Sequence, residues 1–132
     1  MRTTTALAVG AAALVTAAGC GGSSSSGRAA PTGPPQHPKS LVGTVGKNDA
    51  FTISLTDDTG ATISNLAAGT YQLLVHDDSG LHNFHISGSG VDDKTDVPKA
   101  ETKTFTITVK PGTYTFLCDS HPSTMKGSFT VK

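Results

Sequence analysis

The sequence predicts an all-β protein, an antiparallel Greek-key β-sandwich of seven to eight strands. Three observations predict it. Apolar residues recur at every second position in short segments, the period of a half-buried strand. Turn chemistry separates those segments: "DDTG" at 57–60, "AAGT" at 67–70, "DDSG" at 77–80 and "KPGT" at 110–113. No segment carries a helical period, and a composition rich in threonine, serine and glycine, with tryptophan absent, suits strands joined by turns. Strands of this kind bury one face each, which two packed sheets satisfy.

The chain begins with a segment to be set aside from the fold. "MRTTTALAVGAAALVTAAGC" has one positive charge at Arg2, an apolar run from Ala6 to Ala18, and small residues before Cys20. The run is shorter than the ~20 residues of a membrane-spanning helix and has the layout of an export signal. Its ending, "TAAGC", resembles a bacterial lipobox, although Ala17 stands where leucine is favoured. The resemblance implies a signal peptide over 1–19, cleavage before Cys20 and acylation of that cysteine. An ordinary secretory signal cut near Ala18 is the alternative. Residues 20–40 are rich in glycine, serine and proline and have almost nothing to bury, so they read as a flexible linker, with His37 solvated inside it. The folded domain is then 41–132.

Within the domain, "LVGTV" at 41–45 is a short strand candidate. "AFTISL" follows, with Phe51, Ile53 and Leu55 on one face, and "ATISNL" at 61–66 is a second short candidate. In "GTYQLLVH" Tyr71, Leu73 and Val75 share a face, which leaves His76 outward beside Asp77 and Asp78. In "LHNFHIS" His82, Phe84 and Ile86 point inward, and Leu81, Asn83 and His85 point the other way. "DDKTD" at 92–96 reads as a solvated loop. Phe105, Ile107 and Val109 alternate with threonines, Tyr114, Phe116 and Cys118 align, and Phe129 and Val131 align in the last strand.

Chemistry concentrates near the C-terminus, in "FLCDSHPSTMKG". Cys118, His121 and Met125 lie in one short loop between two strands, and parity places His82 inward at an end of the sandwich. Taken alone, Met125 reads as a gap-filling side chain and Cys118 as a small buried hydrophobe. Together with two imidazoles they form a set that suits copper: a soft thiolate, imidazoles that serve both oxidation states, and a thioether as a weak axial donor. Structural zinc favours more cysteines, and calcium or magnesium wants oxygen ligands. If Cys20 carries lipid, Cys118 has no partner in an oxidising compartment, and a bound metal or deep burial must protect it.

At this point the domain resembles a cupredoxin of the plastocyanin, pseudoazurin and amicyanin group. The likeness rests on "HN" at His82–Asn83, the strand "YTFLC" ending in the cysteine, the C-x2-H-x3-M pattern, and "KG" before "SFTV". It implies one copper ion, cycling between Cu(I) and Cu(II), held by His82, Cys118, His121 and Met125. It also implies that Asn83 ties the His82 strand to the cysteine loop by hydrogen bonds. The H-x3-M spacing lies between those of amicyanin and plastocyanin, and His85 is an additional histidine.

The functional expectation is a one-electron carrier, not an enzyme, because four protein ligands leave no open position for substrate. The resemblance implies that electrons pass through the exposed edge of His121, ringed by Leu81, Pro122 and Met125, where redox partners dock transiently. The protein is expected at the outer face of a bacterial membrane through its lipid anchor, or else secreted or periplasmic, and as a monomer. An alternative is a module that stores, delivers or senses copper, with His85, His76 or His37 assisting. A third reading is a metal-free adhesion-like sandwich. A formal net charge of zero, with no Lys/Arg run, argues against nucleic-acid binding.

Overall fold

The computed structural model describes residues 39–132. The signal peptide, Cys20, the linker up to residue 38 and His37 lie outside the described residues. Nine strands form two sheets: β1 (Lys39–Val45), β2 (Ile53–Asp57), β3 (Asn65–Leu66), β4 (Gly69–Asp77), β5 (His85–Gly88), β6 (Val91–Lys94), β7 (Glu101–Val109), β8 (Gly112–Leu117) and β9 (Lys126–Val131). One sheet has the order β2-β1-β4-β7, the other β3-β9-β8-β5-β6. Most pairs are antiparallel, as the alternation predicts. Two are not: β1 runs parallel to β4 and β3 parallel to β9. Because β4 is held on both sides, by β1 and by β7, it sits inside its sheet.

Burial follows the predicted parity. Leu41, Val45, Leu55, Tyr71, Leu73, Val75, Ile107 and Val109 are buried from the first sheet, and Ile86, Val91, Tyr114, Phe116, Phe129 and Val131 from the second. The aromatic centre is ordered by two stacked pairs. Phe84 and Phe116 lie with centroids 5.7 Å apart, and Tyr114 and Phe129 with centroids 5.2 Å apart. The buried Tyr114 hydroxyl accepts a hydrogen bond from the Lys110 amide and has the carbonyls of Lys110 and Ser89 within reach as acceptors. A polar atom carried into the core is thus satisfied.

Four segments differ from the sequence expectation. β2 begins at Ile53, so Phe51 is not part of its inward face and is 63 % exposed. A tight turn in which the Thr52 amide donates to the Ala50 carbonyl breaks the alternation there. The 61–66 candidate shrinks to β3 and an isolated bridge between Thr56 and Thr62. Part of the expected loop at 92–96 is strand: Asp92, Asp93 and Lys94 belong to β6, which pairs only with β5. Charges on such an edge are a familiar way to keep it from pairing further, and they mask a strand from a hydrophobicity reading. Finally, His82 lies ahead of β5, although its side chain is buried as parity predicts.

Gly127 on β9 lies directly opposite Phe116 on β8, and the Phe116 ring covers it. A Cβ at that position would lie 2.3 Å from the Phe116 ring. Gly127→Ala is expected to cost about 1–3 kcal/mol by overpacking. Thermal unfolding followed by circular dichroism should show a clearly lowered midpoint; an unchanged midpoint would contradict this packing.

Candidate metal centre

Two segments that are far apart in sequence meet at one end of the sandwich. The first is the chain between β4 and β5. After Asp77 the Asp78 amide donates to the Val45 carbonyl, and the Leu81 amide donates to Ser79 Oγ. Ser79 Oγ in turn donates to Asp49 Oδ1 at 2.7 Å. Gly46, in the left-handed region at φ 67°, sits against this segment: a Cβ there would lie 2.6 Å from Ser79 Cβ and 3.0 Å from His82 Cδ2. Only glycine combines that backbone angle with that approach.

The second segment is the loop from Cys118 to Met125, which folds on itself. The Cys118 amide donates to the Met125 carbonyl, the His121 amide to the Cys118 carbonyl, and the Met125 amide to the His121 carbonyl, at 3.0, 3.0 and 2.9 Å. Cys118 and Met125 are fully buried, and His121 is partly exposed.

Asn83 joins the two. Its Oδ1 accepts from the Asp119 amide at 2.8 Å, and its Nδ2 donates to Asp119 Oδ2 at 2.9 Å and to the Thr95 carbonyl at 3.4 Å. This is the strand-to-loop tie that the cupredoxin resemblance implies. Thr95 supports the same stretch from behind. Its amide donates to the Phe84 carbonyl, its Oγ1 accepts from the Phe84 amide at 2.8 Å, and that hydroxyl donates to Asp77 Oδ2 at 2.6 Å. Asp77 is buried, and burial pushes its carboxyl above the usual range against the opposing effect of the Thr95 and Ser79 hydrogen bonds. No motif in the sequence marks Asp77, Thr95, Asp119 or Gly46 for these roles, because their partners Thr95, Phe84, Asn83 and Ser79 lie far from them along the chain.

Three donor atoms converge as a result. His82 Nδ1 and His121 Nδ1 are 3.1 Å apart, and Cys118 Sγ lies 3.8 Å from the first and 3.7 Å from the second. The circumradius of that triangle is about 2.1 Å, which matches metal–imidazole distances of ~2.0–2.1 Å and approaches a metal–thiolate distance of ~2.3 Å. The residues therefore fit a metal ion without rearrangement. His82 is fully buried; its Nδ1 belongs to the triangle, and its Nε2 has no hydrogen-bond partner among the described residues.

The other predicted residues are placed as follows. His85 is not in the triangle; it lies on the opposite face, with Nδ1 2.7 Å from Asp119 Oδ1 and Nε2 2.7 Å from Asp92 Oδ1. His76 is partly exposed, near Thr102. Leu81 is 61 % exposed beside His82, and Pro122 is exposed beside His121. Sequence reasoning missed Phe51 at this end of the molecule. Its ring meets His82 and His121 edge to face, with centroids 5.1 and 4.7 Å away.

Residues 73–131 match the family model of the cupredoxin-like domain. Among solved structures, reduced rusticyanin is similar, with a TM-score of 0.52 at 20 % identity over 70 % of this chain and 78 % of that chain. A methionine-to-leucine variant of rusticyanin gives a TM-score of 0.52 at 19 % identity over 70 % and 76 %. At these identities the structural likeness is one of fold. No curated protein matches the sequence.

Burial lowers the affinity of His85 for a proton, but its hydrogen bonds to Asp119 and Asp92 outweigh this and hold it above the ordinary imidazole value. A raised folded-state value means that His85 stabilises the protein fully below the unfolded value of ~6.5, and that this contribution fades as pH rises through the folded value. His85→Gln is therefore expected to lose more stability at pH 6 than at pH 9 in paired denaturant titrations. An equal loss at both would contradict the assigned charge pairing.

Proposed function

We propose that this cupredoxin-like protein binds one copper ion, which His82, Cys118 and His121 would hold with the buried Met125 thioether as a further, weak donor, and works as a one-electron carrier. The observation that carries the reading is the triangle of two imidazole nitrogens and one buried sulfur. Two nitrogens, one thiolate and a distant thioether are the donor set of blue-copper electron-transfer sites. A bound copper ion supplies the Cu(I)/Cu(II) couple there; everything else is supplied by the chain.

The chain's contribution is preorganisation. Asn83, Thr95 and Asp77 hold the His82 segment, and the loop hydrogen bonds hold Cys118 and His121, so the donors stand ready before any ion arrives. Such outer support fixes ligand orientation and tunes the metal. Full burial of His82 and Cys118 keeps water from one side, and the partial exposure of His121 supports a partner that approaches from the other. The donor set leaves no position for a substrate, which supports a carrier over an enzyme.

The N-terminal segment supports an exported protein, anchored by acylated Cys20 to the outer face of a bacterial membrane, with the Gly/Ser/Pro-rich residues ahead of β1, 20–38, as a tether. Transient redox proteins are the proposed partners, meeting the apolar edge near Leu81 and Pro122 through a small contact, below ~1,200 Å² in total.

Titrating the apoprotein with Cu(II), while recording visible absorption and electron paramagnetic resonance, tests the reading. An intense blue band with narrow copper hyperfine splitting is expected, and Cys118→Ser is expected to abolish it. A pale tetragonal spectrum would sink the carrier reading, and release of copper on reduction would favour copper delivery instead. Asn83→Ala is expected to weaken copper binding roughly 10–100-fold, the scale for an outer partner that orients a ligand. A competition titration measures this, and an unchanged affinity would show that the Asn83–Asp119 link is not needed for binding.

A further inference from the structure

Phe51 is unexplained by packing. It is one of three large apolar side chains left exposed among the described residues, at 63 %. Yet it is not loosely placed. Its ring is edge-on to His82 at 70° and to His121 at 78°, and the two imidazoles are themselves 4.8 Å apart. Three aromatic rings, those of Phe51 and of the two histidines of the donor triangle, thus close on one another in the tilted arrangement that aromatic quadrupoles favour.

The loop that carries Phe51 is built to hold it. Gly46, Asn48 and Asp49 all take positive φ, at 67°, 57° and 56°. Residues other than glycine enter that region at a cost, and such backbone gathers where a position is functionally required. The Gly46 amide donates to the Thr52 carbonyl, which brackets Phe51, and the Asp49 amide donates to the Gly46 carbonyl in the turn that precedes it. Asp49 then accepts from Ser79 Oγ, three residues before His82. The loop is therefore tied to the segment that presents one of the two histidines its aromatic ring touches.

We propose that Phe51 is a lid on the metal centre: it sets the tilt of the His121 ring and shields the partly exposed side of the site from water and small ligands. It is a positioning residue, because it offers no donor atom. The inference rests on the copper-binding reading above and adds to it a control on access.

The test uses the full chain as wild type, Phe51→Ala and Phe51→Tyr. In the copper-loaded proteins, the rate of copper removal by cyanide is followed by loss of the blue band. Phe51→Ala is expected to lose copper roughly tenfold faster, the scale for removing a group that orients a ligand, with altered copper hyperfine splitting. Phe51→Tyr, which keeps the ring, is expected to behave as wild type. In the apoproteins, nuclear magnetic resonance of the imidazole carbon-bound protons is expected to show ring-current shifts at His82 and His121 that vanish in Phe51→Ala. Wild-type removal rates and spectra in Phe51→Ala would overturn the lid, even if that variant reacted more slowly with a redox protein, since Phe51 would then be a docking contact only. If the wild type took up no copper, the copper reading would fail by itself. The apoprotein shifts would still decide whether Phe51 orients the histidines.

Discussion

The pair of hydrogen bonds between Asn83 and Asp119 is the constraint on which the rest of this structure depends. Three soft donor atoms must meet within a few ångströms, but one of them comes from the chain before β5 and two from the loop before β9. The Cys118–Met125 loop can order itself through its own amides and carbonyls. It cannot place itself against His82. Asn83 does that by using one side-chain amide for two opposite jobs, accepting from the Asp119 backbone and donating to the Asp119 carboxylate. Cys118 and His82 are neighbours of the two residues joined, so a small shift in the tie becomes a shift in the donor triangle.

Around that tie the structure is layered from rigid to exposed. The stacked aromatics beneath it end at Phe116, two positions before Cys118, and at Phe84, two after His82. The same stacked pair thus anchors both donor segments to the core. Beside it, the chain of contacts from Asp77 through Thr95 to Phe84 carries polar groups into a dry interior with partners for each, which is the condition for such a network to rigidify rather than destabilise. Further out, His85 bridges Asp92 and Asp119 and holds the Asp119 carboxylate below its ordinary range, against burial, together with the Asn83 contact. The exposed end is left to Leu81, Phe51 and Pro122.

Much of this was legible in the sequence because alternation reports burial directly. The inward positions of Tyr71, Leu73, Val75, Phe84, Ile86, Tyr114, Phe116 and Cys118 all follow from period two. So does the separation of His82 from His85, which the pleat sends to opposite faces even though His82 precedes the strand itself. The nearness of Cys118 and His121 was legible from residue chemistry and loop length, and the choice of His82 from parity and from the "HN" of the cupredoxin resemblance. What escaped notice had a physical reason. β6 is an edge strand whose charges hide it. Phe51 reads as the first inward residue of a strand until a tight turn at Ala50–Thr52 rotates it out. Thr95 accepts from the Phe84 amide and donates to the Asp77 carboxylate, both far away in sequence, and a single chain gives no pattern for such contacts. The parallel pairing of β1 with β4 depends on how the chain crosses between sheets, which alternation does not encode.

The central claim is that the triangle is a metal site with sulfur in it, and the shell of atoms around a bound ion tests that most directly. X-ray absorption at the copper edge of the copper-loaded protein resolves donor type and distance. The account predicts two nitrogen donors and one short copper–sulfur contact, with the sulfur contribution absent in Cys118→Ser. A shell made only of nitrogen and oxygen, the same in both proteins, would contradict it and would place any bound copper elsewhere on the molecule.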